Sequence, residues 1–277
     1  MGLGGYGPLQ YLHLARASAS AMKPRLVIIG FYFGNDLMDS FHVSRDRPHW
    51  HDWRVSAGSQ SAPATIGPVE DAQPRKRFAA LRDWLARKSM LYSVLKATVL
   101  KGFAVKEQEG LALRADPDTW LLWKDPADPA VQTIFTLKGR LTALDLGVDS
   151  VRDGMQISQR AFAEIKIEAE RQGFGVLVVL IPTKERAYCR YLLASGEKLT
   201  EAFSRLCEAE SKANAHLTSF LHLQGIQHLD GLPALEDRIA RHIAVYPAGA
   251  DGHPQANGYA AIAEAIATVV RTSFPKR

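Results

Sequence analysis

Two apolar runs constrain this chain more than anything else in it: RLVIIGFYF at 25–33 and FGVLVVLIP at 174–182. Both are unbroken and rich in β-branched and aromatic residues. A half-exposed strand alternates polar and apolar residues, whereas a strand apolar throughout must be covered on both faces. Two such strands, distant in sequence and separated by helical periodicity, predict a parallel sheet with helices on both sides, an α/β fold.

The remaining pattern fills in that sheet. A helix is expected over 9–22, with Leu9, Leu12, Leu14 and Ala15 on its apolar side and Pro24 ending it. A long helix over 155–172 stops at Gly173 and leads into the second buried strand. A polar helix at 195–222, a short strand IQHL at 226–229, a helix from Pro233 to 243, a loop at 244–254 and a last helix at 256–271 follow. The stretch between the first strand and the helix at 155 differs in character. Residues 41–76 hold Trp50, Trp53, Pro63, Pro68 and Pro74 without a clean period and read as a long loop. Residues 77–101 are strongly amphipathic, with Leu81, Trp84, Leu85, Leu91, Leu95 and Val99 on one face. We read 1–277 as one domain, with 41–150 as an insertion that caps it.

Composition excludes several classes. With 47% apolar and 23% charged residues, the chain has material for a core and is not disordered by composition. The net charge of +5 is spread out, and Arg75-Lys76-Arg77 is its one tight run, so a solvated surface is expected rather than a nucleic-acid interface. No segment approaches the roughly 18 apolar residues of a membrane span, and the first residues lack the pattern of a signal peptide. Cys189 and Cys207 form neither a metal motif nor a disulfide framework. His49-Trp50-His51 lacks a third ligand, and His216, His222, His228 and His242 read as structural. No metal and no cofactor is expected.

Chemistry is concentrated in short motifs. Gly2, Gly4 and Gly7 in MGLGGYG fit the dinucleotide spacing G-x-G-x-x-G, but no strand precedes them and residues 20–30 hold no acidic partner. They read instead as a glycine-rich strand-to-helix turn. After the first buried strand comes Gly34-Asn35-Asp36, and before the last helix comes Asp251-Gly252-His253-Pro254. A glycine turn, then G-x-N-D, then D-x-H-P before a terminal helix, in that order, resembles the SGNH (GDSL-type) hydrolase superfamily. The resemblance covers roughly 1–40 and 155–271. IPTKERAYCRYL at 181–192, with Pro182, Lys184 and Tyr188, is similar to the branch that acetylates or deacetylates bacterial polysaccharides.

The resemblance implies a three-layer, flavodoxin-like α/β/α fold and an ester hydrolase working through a Ser-His-Asp acyl-enzyme. It makes Gly5 the oxyanion-hole glycine, Asn35 the oxyanion-hole amide, His253 the general base and Asp251 its orienter. The substrate would be a small acyl ester or an acetylated glycan. The departure is the serine: no G-D-S occurs in the chain, and Ser40, beside the Asn block, has no neighbour that marks a nucleophile. The first, central strand and the nucleophile turn are therefore expected upstream of Met1, where an export signal or membrane anchor would also lie, and the chain as given is expected to be inactive. Two alternatives remain open: an O-acyltransferase acting on a glycan, and a non-catalytic binding remnant. Compartment and oligomeric state are not set by the sequence.

Overall fold

A computed structural model of the chain describes residues 6–54 and 101–274. Three strands form a parallel sheet in the order β1-β4-β5: β1 is Leu26–Tyr32, β4 is Gly175–Ile181 and β5 is Gln227–Asp230. Leu26 pairs with Gly175 through to Tyr32 with Ile181, and Leu177 with Gln227 through to Leu180 with Asp230. The α/β expectation is met, and the strands fall within a residue or so of their predicted places. The central strand β4 is buried from Val176 to Leu180, which is why its sequence shows no alternation.

The outer edge of β1 follows from the period of two along a strand. Gly175 N–H donates to the Arg25 carbonyl at 2.9 Å, and Phe33 N–H donates to the Ile181 carbonyl at 3.0 Å. Odd-numbered residues of β1 thus bond to β4, and the backbones of Leu26, Ile28 and Gly30 point the other way. No described strand pairs with that side. Ile28 is 47% exposed. A groove of about 410 Å³ runs along this edge beneath α1, the helix Pro8–Met22, and no charged side chain lines it. At its upper end Tyr32 N–H donates to the buried carboxylate of Asp36 at 3.0 Å.

The helices cover both faces. α1 starts at Pro8, with Gln10 accepting from the Gly7 N–H, and ends at Lys23 in the left-handed region, just before Pro24. α2, Asp36–Asp46, occupies residues assigned in part to a loop, and a 3₁₀ turn follows at Pro48–Trp53. The long-loop expectation is therefore corrected for 41–54. The rest of it, and the helix expected at 77–101 as far as residue 100, lie outside the described residues. Within the predicted insertion come α3 (Lys101–Ala112), an antiparallel hairpin of β2 (Leu121–Lys124) and β3 (Gln132–Phe135), and α4 (Leu137–Leu144). α5, Asp149–Gln172, begins earlier than predicted and ends at Gly173 with φ +77°. It packs on α1 and α2, so closely that Gly154 meets the backbone of Leu37.

The polar helix predicted at 195–222 is α7 (Glu201–Leu223), which begins at residue 201, and a helix that the sequence reading left unassigned, α6 (Lys184–Ala194), precedes it. Each has a threonine N-cap: Thr183 Oγ1 accepts from Arg186 N–H at 3.2 Å, and Thr200 Oγ1 from Phe203 N–H at 3.3 Å. Then come α8 (Leu232–Ala240) and α9 (Ala256–Ser273). The cysteine reading is also corrected. Cys189 on α6 and Cys207 on α7 are joined as a disulfide across a separation of 18 residues, and it clamps the two helices against each other. Closing a loop of that size stabilises by about 3 kcal/mol in the chain-entropy account. Cys207→Ser is expected to lower stability by about that amount, and reductant should lower the melting temperature of the wild type but leave the variant unmoved. Equal melting of both proteins without reductant would contradict the clamp. Among the described residues, no helix is long and apolar enough to cross a membrane.

Candidate active site

The carboxyl end of β1 and the loop before α9 meet at one cleft. β1 runs through Phe33-Gly34 into Asn35, which caps α2. Asn35 N–H donates to the Tyr32 carbonyl at 3.3 Å. Its side-chain Nδ2 donates to Asp39 Oδ2 at 2.6 Å, one helical turn on. An amide nitrogen carries two hydrogens, so this bond fixes the side chain and leaves a second donor for a ligand. Burial raises the Asp39 carboxyl above its ordinary range, and the bond from Asn35 opposes that shift.

The other half is Asp251-Gly252-His253. Asp251 Oδ1 accepts from the His253 N–H at 3.0 Å and lies 2.8 Å from His253 Nδ1. That contact occupies Nδ1 and leaves Nε2 as the ring nitrogen not held by Asp251. The bond to His253 is the chief reason the Asp251 carboxyl is pulled down to about 2. The His253 ring lies against Tyr32, with centroids 5.0 Å apart. Tyr32 hydroxyl donates to the Gly252 carbonyl at 2.9 Å, and Arg140 Nη1 donates to the Gly34 carbonyl at 2.7 Å. A side chain at position 252 would collide with both, since its Cβ would sit 2.5 Å from Arg140 Nη2 and 2.5 Å from the Tyr32 hydroxyl. A larger residue between Asp251 and His253 would make the ends of the Arg140 and Tyr32 side chains shift.

The cleft has a volume of about 980 Å³. Gly34, Asn35 and Asp39 form one wall, Asp251 and Gly252 another, and Gln108, Trp120, Thr136 and residues 138–140 the side contributed by the predicted insertion. Asn35 and Asp251 therefore share one cavity, and His253, which is not among the lining residues, is held by Asp251. Gly5, with Gly2 and Gly4, lies outside the described residues. Gly7, which closes the glycine block, packs beside Asp39, where a Cβ would be 3.2 Å from the Asp39 Cβ. No serine or cysteine is among the described residues lining the cleft. Ser40 is fully buried, 3.0 Å from Ser158 Oγ, and faces α5. No group of His, Cys, Asp and Glu among the described residues could hold a metal.

Other groups were legible only in part. Lys184, marked by P-x-K, is not solvated but wholly buried, and burial pulls its ammonium down to about 8 against the opposing pull of Glu185. Tyr188 packs among Trp123, Phe135 and Tyr246, as a structural tyrosine would. Arg140 carried no local signal; it meets Gly34 across 106 residues. His242 is not isolated: its Nδ1 is 2.9 Å from buried Asp125 Oδ2, and its backbone sits at φ +58°. This second acid–imidazole pair has no residue on the cleft and no amide donor like Asn35 beside it, so it does not compete for the role. Compared with known proteins, the chain matches no family model, no curated protein and no solved structure.

Proposed function

We propose that the chain carries the base and oxyanion-hole parts of an SGNH-type ester hydrolase, on a flavodoxin-like three-layer fold. One observation carries the reading: Asn35 and Asp251, 216 residues apart in sequence, line a single cleft, and the Asp251 carboxylate holds the His253 imidazole. In the reaction, His253 Nε2 takes the proton of an attacking hydroxyl. The oxygen adds to the ester carbonyl, and the oxyanion that forms accepts from Asn35 Nδ2. Collapse expels the alcohol, which recovers the proton from His253, and water repeats the cycle on the acyl-enzyme. Asp251 holds the imidazole in the tautomer that leaves Nε2 bare.

The size of the cleft and the indole of Trp120 on its wall suit a sugar-bearing ester, since saccharide rings stack on aromatic faces. The disulfide suits a compartment that keeps thiols oxidised. Water as acyl acceptor is favoured over a sugar hydroxyl because the His253 side chain is 60% exposed. A glycan O-acyltransferase would need that water excluded. A non-catalytic binding remnant is the reading of another class, and the absence of serine and cysteine from the described lining favours it for the chain by itself.

The test compares the protein isolated from its source with the 277-residue chain, each treated with a fluorophosphonate probe and with p-nitrophenyl acetate. The isolated protein is expected to label and to turn over, and the 277-residue chain to do neither. Labelling of the 277-residue chain would overturn the missing nucleophile. Failure of both proteins would remove the esterase reading and leave the binding remnant.

A further inference from the structure

Lys184 opens α6 directly after β4, and its side chain turns inward to 0% exposure. Burying an ammonium is costly unless its hydrogens are all taken. Here three acceptors surround Nζ: the Gly249 carbonyl at 2.8 Å, the Asp251 carbonyl at 3.1 Å and Thr133 Oγ1 at 3.2 Å. Two of the three belong to the irregular loop that presents His253. The third, Thr133, donates its own hydroxyl to Pro247 in the same loop at 3.0 Å. Gln108 fastens the loop from α3 by accepting from the Ala250 N–H at 3.1 Å. None of the three bonds goes back to α6 or the sheet.

We infer that Lys184 is a positioning residue for His253, acting through the backbone of Asp251. The inference rests on the reading of His253 as the base. Lys184 does not touch the imidazole. It fixes the carbonyl of the residue whose carboxylate fixes the imidazole, so one ammonium sets where Asp251 Oδ1 stands and which ring nitrogen is left bare. The Gly249 carbonyl also accepts from the Ile134 N–H at 3.5 Å, whereas the Asp251 carbonyl has no second donor among the described residues. Arg140, Glu185 and Asp251 are the charged groups that face it.

The experiment is nitrogen NMR of ¹⁵N-histidine-labelled 277-residue chain, which needs no turnover. In the wild type, His253 is expected to hold its proton on Nδ1, against Asp251. Lys184→Met keeps the length of the side chain and removes its donors. In folded Lys184→Met the ratio of Nδ1–H to Nε2–H at His253 is expected to fall about tenfold, the weight of roughly one hydrogen bond. His242, held by its own acid, serves as the unmoved internal control. Thr133→Val, which removes one acceptor and the tie to Pro247, should shift the ratio the same way by less, and it stands in if Lys184→Met does not fold. An unchanged His253 ratio in a folded variant would overturn the inference and leave Lys184 a stability residue. In protein that hydrolyses esters, the same variants should lower kcat with KM held. Because the NMR signature is independent of turnover, its failure and the failure of the esterase reading are separate results.

Discussion

Replacing His253 by alanine is expected to lower kcat of the ester-hydrolysing protein by on the order of 10⁶-fold, the usual consequence of removing the base of an acyl-transfer triad. The fold should not follow. The side chains of His253 and Asp251 are 60% and 64% exposed, and substitution at such positions seldom moves stability by more than about 0.5 kcal/mol. Activity and melting temperature are thus expected to separate. Asp251→Asn should act in the same direction by less. An asparagine amide facing Nδ1 favours the wrong tautomer, but the solvated imidazole loses less charge stabilisation here than it would beside a buried acid. The Asp251 carboxyl, pulled down to about 2 by His253, stays ionised as pH falls and gives up the bond only near that value. Acid inactivation at higher pH is then not the loss of the Asp251 carboxylate. His253→Ala retaining a tenth or more of the wild-type kcat would remove His253 from the mechanism.

The second large effect is structural. Gly154→Ala is expected to destabilise by about 3 kcal/mol, at the upper end for overpacking, and to lower the melting temperature by roughly 10 °C. At position 154 an added methyl lands inside the van der Waals envelope of the Leu37 carbonyl oxygen and 2.8 Å from its carbon. Those atoms are backbone, so no rotamer change relieves the clash, and α5 and α2 must move apart. α2 begins immediately after Asn35, and displacing it also moves the oxyanion donor. Turnover should fall even where the variant still folds. Gly110→Ala is the matched control: nothing lies within 4 Å of its added Cβ, and helix propensity alone should stabilise it by up to about 1 kcal/mol. Equal melting of Gly154→Ala and wild type would mean that the two helices do not touch as described.

The sheet was legible because β1 and β4 are apolar along nearly their whole length; in β4 cover on both faces imposes that pattern, whereas β1 carries it with Ile28 and Gly30 exposed, contrary to the expectation of burial on both faces. Asn35 and Asp251-Gly252-His253 were legible for a different reason: each is a local turn whose residues act on their own neighbours. Lys184 and Arg140 act on backbone carbonyls far away in sequence, and a carbonyl has no side-chain letter to announce that it needs a donor. α6 was missed because Pro182 reads as the end of a strand and the polar residues after it show no clear apolar stripe, and α7 starts at its Thr200 cap instead of at residue 195. The cysteine pair was missed because 18 residues is an unremarkable spacing until the chain is seen to reverse between the two helices.

The buried carboxylate of Asp36 has a consequence for how this molecule polymerises, or fails to. A strand from another chain that adds to β1 finds backbone groups at Leu26, Ile28 and Gly30 that no described strand pairs, and then meets Tyr32, whose N–H is already committed. Tyr11 hydroxyl holds the same carboxylate oxygen at 3.1 Å, so the stop is itself braced. At the opposite end Arg25 is exposed and charged. The template between these limits is about five residues long, shorter than the six or seven that self-propagating cross-β growth requires. The edge is sticky but short: it can be read by a strand once, and it does not hand a longer copy on.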